Sequence, residues 1–431
     1  MKKWKKLGFI VLLVSTTLLS TACAGAANSD VDSGDGKTTI EFMHWGGDET
    51  FEGVYQERIE NFEKENPDIK VKTITVADDY DTKLQTMIAG KQAPDVAQVA
   101  ENGSGFASKN AFIDLTDKIK EANIDIAATW GSAIDLYTLE NKIFGIPDRG
   151  GSSLLYYNKV LFDEAGIEYP NENWTIDDYY KAAEALTKDT DGDGEIEQWG
   201  STAGDYQLVW GNFLRANGGA VIEDGKVVID SAENQATIKA YDEAFKKWSV
   251  SYQIAEDKVN RFQAGLVGMN MTGFWDMNSN AKVIGDKFDY GIAPMPIGTE
   301  KTSWSTGSAL TISTQSSEKE QEASWKFIEY MASEEAQQLV GKGLYDCPAN
   351  LKTLNSDEFL NQKVEGHEID LSAIPVAQER VVIDELLTGP WYSEVTTEAR
   401  AKIKEMLLGN LTPEETLSTL QKNLSDIVAK Y

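Results

Sequence analysis

Cysteine, histidine and positive charge are all scarce in this sequence. The 431 residues include two cysteines, two histidines, and 40 lysines and arginines against 70 aspartates and glutamates, so the formal net charge is −30. Two histidines, His44 and His367, exclude a metal site built from several imidazoles. A surface this acidic repels nucleic acid and anionic lipid headgroups, so nucleic acid is not expected as a partner.

Motifs of common enzyme classes are absent as well. The sequence contains no G-x-S-x-G, HExxH, P-loop or G-x-G-x-x-G motif. A pair of carboxylates would suffice for a glycosidase, but 70 acidic residues make any such pair uninformative. We therefore predict that the chain is not an enzyme, and retain an anchored glycoside hydrolase or lyase as the enzyme-class alternative.

The N-terminus has the pattern of an export signal. Several lysines precede an uncharged apolar run over 7–19, and Thr21-Ala22-Cys23 follows. The run is shorter than the roughly 20 apolar residues that a membrane-spanning helix needs, and no later segment is long enough either. Small residues before a cysteine are typical of a bacterial lipobox, although Ser20 stands where such boxes more often have leucine.

These features predict a lipid-anchored protein on the extracytoplasmic face of a bacterial cell membrane. Residues 1–22 would be a lipoprotein signal peptide, Cys23 the lipidated N-terminus, and residues 23–39, which are small and polar, a flexible tether. Lipidation of Cys23 would leave Cys347 without a partner, so disulfides would contribute nothing. Ordinary secretion with a chance cysteine is the alternative.

The remaining sequence is too long for one ordinary hydrophobic core, which indicates two domains. Strand patterns over 39–43, 69–76 and 94–99 alternate with helical patterns. This order predicts a parallel α/β sheet with right-handed crossovers, in which ligands bind beyond the carboxyl ends of the strands. Trp45-Gly46-Gly47 and Glu101-Asn102-Gly103 follow two of these strands.

Turn-forming and capping residues later in the chain indicate a hinge and the starts of two helices. Proline and paired glycines over 146–151 indicate a crossing strand or a hinge. Thr175, three residues before Asp178, predicts a helix N-cap, and Thr412-Pro413-Glu414-Glu415 predicts a capping box at the start of the last helix.

Several short motifs occur in a fixed order along nearly the whole predicted mature chain. They are Trp45-Gly46, Ala93-Pro94-Asp95-Val96, Gly145-Ile146-Pro147, Tyr156-Tyr157-Asn158-Lys159-Val160-Leu161-Phe162, Asn173-Trp174-Thr175, Phe262-Gln263-Ala264-Gly265 with Met269 and Gly273-Phe274-Trp275, and Tyr290-Gly291-Ile292-Ala293-Pro294-Met295-Pro296. In this order the sequence resembles the family 1 extracellular solute-binding proteins, the maltose-binding-protein-like components of ABC importers. The resemblance implies an α/β, two-lobed periplasmic-binding-protein fold, with hinge strands that cross three times and a ligand cleft between the lobes.

The resemblance also implies domain boundaries and a function. Residues 40–148 and 299–346 would form lobe one, and residues 149–298 and 347–431 lobe two. The protein would capture a mono- or oligosaccharide by hinge closure and deliver it to the permease subunits of an ABC transporter, acting as a monomer. A binder of a polyamine or another small polar solute is the alternative, since acidic walls and aromatic rings also suit a cation.

Candidate ligand-binding residues follow from the positions that line the cleft in this family. Sugars stack their apolar C–H faces on aromatic rings, and their hydroxyls need planar acceptors and donors. Trp275 and Trp391 each lie beside a turn, which favours a cleft over a core position for both. The predicted ligand-binding residues are Trp45, Glu101, Asp148, Arg149, Tyr206, Trp210, Trp275, Asp276, Trp391 and Tyr392.

One acidic segment follows the first half of an EF-hand calcium loop. Asp189, Asp191 and Asp193 supply oxygens at positions 1, 3 and 5, and a glycine stands at position 6. Position 12 is Gly200 instead of the usual glutamate, so calcium would need a carboxylate from elsewhere. We predict that no cofactor is required and name calcium at these aspartates as an optional ion. A plain acidic turn is the alternative.

Overall fold

The computed structural model of the protein describes residues 36–46, 49–202, 204–248, 260–305 and 307–431. The predicted signal peptide, Cys23 and the first part of the tether lie outside these residues. Among the helices in the described ranges, none combines the length and the apolar composition that crossing a membrane requires.

Strands and helices alternate along most of the described chain. The strands are β1 Thr38–His44, β2 Ile69–Thr75, β3 Val96–Val99, β4 Thr138–Leu139, β5 Lys142–Ile143, β6 Ile146–Arg149, β7 Ser153–Asn158, β8 Trp199–Ser201, β9 Ile222–Glu223, β10 Lys226–Val227, β11 Val267–Gly273, β12 Tyr290–Pro294, β13 Ser303–Trp304, β14 Ser308–Ile312 and β15 Val381–Val382. The α-helices are α1 Glu49–Glu65, α2 Tyr80–Ala89, α3 Gly103–Ala107, α4 Thr116–Glu121, α5 Ile126–Thr129, α6 Lys159–Ala165, α7 Ile176–Leu186, α8 Gln207–Ala216, α9 Ala232–Trp248, α10 Asp276–Ile284, α11 Glu318–Met331, α12 Glu334–Gly341, α13 Leu351–Leu354, α14 Asp357–Leu360, α15 Ala373–Glu379, α16 Glu385–Thr388, α17 Tyr392–Leu407 and α18 Pro413–Val428. Two 3-10 helices cover Gly131–Tyr137 and Lys342–Leu344.

Two separate sheets form the centres of two α/β lobes. The first sheet has the strand order β2-β1-β3-β14-β6 and the second the order β12-β7-β11-β8. β1 pairs in parallel with β2 and β3, which confirms the predicted parallel start of the fold. β14 joins the first sheet antiparallel, as β7 joins its two neighbours in the second.

Local sequence signals hold where the packing agrees with them. The hydroxyl of Thr175 accepts a hydrogen bond from the backbone N–H of Asp178 at 3.1 Å, and the Asp178 carboxylate accepts one from the backbone N–H of Thr175 at 3.1 Å. The same reciprocal pair links Thr412 and Glu415 at the start of α18. Both predicted capping residues are confirmed, because each satisfies backbone donors that a helix start leaves free.

Three chain segments cross between the lobes, and they lie side by side. Gly150, between β6 and β7, donates its N–H to the carbonyl of Cys347 at 2.8 Å. Ser152 forms an antiparallel bridge with Ser305, and Arg149 forms one with Pro348. The segments from β6 to β7, from β13 to β14 and around 346–349 are therefore hydrogen-bonded to one another at the hinge.

The lobe boundaries implied by the resemblance stay a prediction, with one refinement. β13 pairs in parallel with β15, so Ser303 and Trp304 lie against lobe two although the range 299–346 is assigned to lobe one. The second crossing thus begins after Trp304 and reaches the first sheet at Ser308, where β14 begins.

Gly307 is a position where the crossing strands leave no room for a side chain. Its φ is +143°, and a Cβ there would lie 2.5 Å from the carbonyl oxygen of Arg149. Gly307→Ala should lower the free energy of unfolding by about 1 kcal/mol for the backbone conformation and by a further 1–3 kcal/mol, roughly, for the displaced neighbour. Urea denaturation measures this loss. Gly409→Ala is the control, because Gly409 has φ +77° and a Cβ added there would meet no atom within 4 Å; an equal loss in both variants would contradict the crowding.

Candidate ligand-binding site

Lobe one presents the carboxyl ends of its parallel strands towards lobe two. Trp45 directly follows β1, and Glu101 follows the fully buried β3 by two residues. Both side chains are partly exposed. Asp81, in the first turn of α2, accepts a hydrogen bond from the side chain of Asn102. An aromatic ring and two carboxyl groups therefore share this edge of the first sheet.

Lobe two contributes aromatic residues from the starts of three helices. Tyr206 precedes α8, Trp275 precedes α10, and Tyr392 is the first residue of α17. Tyr206 and Trp275 are 41% and 42% exposed, which is unusual for rings of this size. Tyr392 is 8% exposed, and its hydroxyl accepts a hydrogen bond from Gln207 Nε2 at 3.2 Å.

A Gly-x-Trp pattern positions two of the predicted tryptophans. The ring of Trp275 lies over Gly273, where a Cβ would overlap the ring carbons. The ring of Trp391 lies over Gly389 in the same way, and a Cβ there would overlap the ring as well. Only glycine fits beneath either ring, so the backbone itself holds both rings in place.

The charge of Glu101 influences two tyrosines of the other lobe, which shows that these groups lie near one another. Although the Tyr206 side chain is part-exposed, desolvation of its hydroxyl raises the pKa of Tyr206 to about 12, and the charge of Glu101 is the next cause. Burial also raises the pKa of Tyr392, again with Glu101 as the next cause. Nearby, the Ser104 hydroxyl donates to the carbonyl of Gly389 at 2.8 Å and joins the lobes directly. Glu101 therefore faces lobe two across the cleft.

The carboxyl groups of this cleft hold their protons more tightly than usual. Burial raises the pKa of Glu101 to about 7, and the negative charge of Asp81 adds to the effect. Burial likewise raises the pKa of Asp276, next to Trp275. Near neutral pH the cleft therefore offers rings, hydroxyls and, at Glu101, a partly protonated carboxyl, which suit an uncharged polar ligand with apolar faces.

Two predicted site residues are almost completely buried in this structure. Trp210 is 1% exposed in α8, and its ring N–H donates to the carbonyl of Asp205 at 3.1 Å. Asp148 is 1% exposed and is paired with Arg58 at 2.5 Å. In this structure Trp210 packs in the core because α8 is buried on nearly every face, and Asp148 neutralises a buried guanidinium; contact of either residue with a ligand stays a prediction.

Two further predicted ligand-binding residues, Arg149 and Trp391, form hydrogen bonds with other groups of the protein. Arg149 lies in the hinge, with its side chain 15% exposed and bonded to Asp346. The ring N–H of Trp391 donates to the carbonyl of Glu385 at 3.2 Å, and the ring lines a groove of about 850 Å³ with Phe112 and Tyr431. Contact of either residue with a ligand stays a prediction.

Sequence reasoning missed Asp81 and Gln207. Asp81 follows β2, whose carboxyl end lies at the same sheet edge as those of β1 and β3, so its position in the strand order could have indicated it. Gln207 adjoins Tyr206 at the start of α8, but its bond to Tyr392 joins residues 185 apart in sequence. No local signal predicts that pairing.

The acidic loop contains a fourth carboxylate that the sequence prediction lacked. Oxygens of Asp189, Asp191, Asp193 and Glu197 all lie within 4.8 Å of one another. The backbone N–H groups of Gly194 and Gly192 lower the pKa of Asp189. Glu197 occupies the ninth loop position and could take the place of the missing glutamate at position 12.

The structure has two α/β lobes, three adjacent crossing segments and a cleft with exposed rings. These features define a class of binding protein that encloses a small ligand between its lobes. Residues 48–338 match the bacterial extracellular solute-binding protein family. The chain belongs to this family, and so acts outside the cytoplasm.

The relatives and solved structures agree with this assignment. The arabinooligosaccharide-binding protein of Bacillus subtilis (strain 168) is 26% identical over 236 residues, 54% of this chain and about half, 52%, of that protein. The maltooligosaccharide ABC transporter solute-binding lipoprotein of Streptococcus pneumoniae is 26% identical over 380 residues, 84% of each chain. An ABC substrate-binding protein from Listeria monocytogenes in complex with cycloalternan has a TM-score of 0.80 at 25% identity, covering 91% of this chain and 99% of that one. These relatives are solute-binding proteins and not enzymes, which sets aside the hydrolase or lyase alternative.

The raised pKa of Glu101 gives the folded protein a distinct pH dependence. The folded-state pKa of about 7 lies above the ordinary 4.5, so the proton on Glu101 contributes stability that is complete below pH 4.5 and is lost as pH rises through about 7. Thermal melts should show the wild-type protein losing stability between pH 5 and 8. Glu101→Gln should lose less and be more stable than wild type at pH 8 by about 1–2 kcal/mol, allowing for solvent screening.

Glu57→Gln, on the exposed face of α1, is the control for this pH series. It should follow the wild-type curve. A Glu101→Gln curve parallel to wild type would show that Glu101 is ionised normally.

Proposed function

We propose that this protein is the substrate-binding component of an ABC importer and captures a neutral carbohydrate in the cleft between its lobes. The observation that carries the proposal is the pair of exposed rings, Tyr206 and Trp275, opposite a carboxyl group whose pKa is near 7. Aromatic faces match the C–H faces of a pyranose, and a protonated or hydrogen-bonded carboxyl matches its hydroxyls.

The names of the relatives support the ligand class. Arabinooligosaccharide and maltooligosaccharide appear in the names of two relatives, and the Listeria monocytogenes structure contains cycloalternan. The Streptococcus pneumoniae relative is also named as part of an ABC transporter. These names favour an oligosaccharide over a monosaccharide as the ligand. They also favour permease subunits as the partners.

Hinge closure is the proposed mechanism. A ligand that contacts Trp45 or Glu101 in lobe one and Trp275 in lobe two binds the closed form more tightly than the open form, and so shifts the population towards closure. The closed monomer is the form that would dock on the permease. Rotation about the three crossing segments would bring the two sets of residues together.

Lipid anchoring and calcium belong to the proposal as well. Cys23 after a signal-like segment supports a lipoprotein on the outer face of the cell membrane, and one relative is named as a lipoprotein. Calcium at Asp189, Asp191, Asp193 and Glu197 would be optional, because backbone N–H groups already satisfy Asp189.

A polyamine is the second candidate ligand, favoured by the carboxyl groups of Asp81, Glu101 and Asp276 around the rings. A cation would need them ionised. Burial raises the pKa of Glu101 and of Asp276, which disfavours the ionised form and with it the cationic ligand.

Trp275 and Trp210 form a matched pair for testing the carbohydrate proposal. Trp275→Ala removes an exposed ring and should weaken binding of the better of maltotriose and arabinotriose by about ten- to hundredfold, since ring stacking contributes about 1–3 kcal/mol. Trp210→Ala removes a buried ring and should lower the free energy of unfolding by about 3–5 kcal/mol. Isothermal titration calorimetry and thermal melts without ligand measure the two effects. Unchanged sugar affinity in a well-folded Trp275→Ala protein would refute the stacking role.

Cys23→Ala tests the anchor separately. If Cys23 is lipidated, the variant should move from the membrane fraction to the medium or periplasm, as seen by immunoblotting of cell fractions. Cys347→Ala, which alters the buried second cysteine, is the control and should stay with the membrane. A Cys23→Ala protein that remains fully membrane-bound would exclude the lipobox.

A further inference from the structure

Arg149 holds a positive charge against the ring of Trp45. Its guanidinium carbon lies 5.5 Å from the Trp45 ring centroid and 4.9 Å from that of Phe51. Nε donates to the Ser308 hydroxyl at 3.1 Å, and Nη1 donates to Asp346 Oδ2 at 2.8 Å. Hydrogen bonds to two crossing segments therefore fix the guanidinium beside the one tryptophan that follows β1.

The positive charge of Arg149 influences the carboxyl end of β1, although Arg149 has acidic neighbours. Burial lowers the pKa of His44 to about 4, and the charge of Arg149 is the next cause, ahead of the opposite effect of Asp148. His44 directly precedes Trp45. At His44, the residue before Trp45, the influence of the Arg149 charge thus exceeds that of Asp148.

We propose that Arg149 is a specificity-determining residue that excludes cationic ligands from Trp45 and reserves this ring for neutral ones. A cation attracted to an aromatic ring lies within about 6 Å of its centroid. Added to the 5.5 Å on the Arg149 side, this puts the two like charges about 12 Å apart at most. Like charges at this distance still repel each other where burial limits screening, and the side chain of Arg149 is only 15% exposed. A neutral sugar meets no such repulsion.

The carboxyl groups of the cleft would attract a cation, but only to the extent that they are ionised. Asp81, Glu101 and Asp276 would attract a cation when ionised, and the pKa of each is raised, chiefly by desolvation. The guanidinium of Arg149 keeps its charge throughout the physiological range. Charge selection in the cleft therefore depends on the permanent charge of Arg149 and on carboxyl groups whose ionised form is disfavoured by burial.

This inference rests on the proposed carbohydrate function and is tested with matched neutral and cationic trisaccharides. The probes are the better bound of maltotriose and arabinotriose, and the glucosamine trisaccharide, measured by calorimetry on the mature chain at slightly acidic pH, where the amines are charged. Wild type should prefer the neutral probe. Arg149→Met should reduce that preference by about tenfold, which corresponds to about 1.4 kcal/mol, and Arg149→Lys, which keeps the charge, should retain it.

Asp346→Asn provides a second variant with the opposite expectation. It removes the carboxylate paired with Arg149, so the preference for the neutral probe should increase severalfold. Thermal melts establish that each variant is folded. A preference unchanged in Arg149→Met, or decreased in Asp346→Asn, overturns the role of Arg149 while leaving the carbohydrate function standing. A wild-type protein that prefers the cationic probe, or binds neither neutral trisaccharide, overturns both.

Discussion

The junction of the three crossing segments at Arg149 is the constraint on which the two-lobed structure depends. The backbone of Arg149 is bridged to Pro348 and pairs with Ser308, while its side chain is bonded to Ser308 and Asp346. One residue thus ties all three crossings together. Backbones this close leave no room for a Cβ at Gly150, which would lie 2.9 Å from the carbonyl oxygen of Pro348. A rotation of one lobe against the other would therefore act on these contacts first, because all three crossing segments meet here.

Charge burial supports the junction from the side of lobe one. Asp148, the neighbour of Arg149, is paired with Arg58, whose guanidinium also donates to the carbonyl of Met331 at 2.7 Å. Removing one member of such a pair would leave the other charge buried without compensation, at a cost of about 3–5 kcal/mol. The pair therefore fixes α1 against β6 and the end of α11. Asp148 and Arg149 are adjacent in sequence and both carry charge. Asp148 has a structural role, whereas Arg149 is close to the cleft.

The predictions from sequence that hold are those decided within a few residues. Parallel β1–β3, the capping boxes at Thr175 and Thr412 and the hinge at 146–151 depend on local periodicity, hydroxyl caps and glycine, and the structure contains all of them. The burial of Trp210 could have been predicted, because its helix, Gln207–Ala216, is apolar on several faces, a pattern that indicates burial. Asp148 could not be assigned, because its partner Arg58 is 90 residues away. The lobe boundaries and the roles of the remaining site residues rest on family resemblance rather than on any local signal.

The net charge and the cleft argue for different ligands, and burial decides between them. An acidic chain attracts cations at long range, but that attraction is screened by salt beyond about 10 Å. Inside the cleft, desolvation favours the neutral form of Glu101, and the same desolvation strengthens the field of the permanently charged Arg149. An acidic surface is therefore consistent with a cleft in which burial disfavours the ionised form of the carboxyl groups. The difference between the two follows from how far their carboxyl groups lie from water. The proposed ligand, an uncharged one with faces that stack on rings, therefore fits the cleft although it is not the ligand that the surface charge would attract.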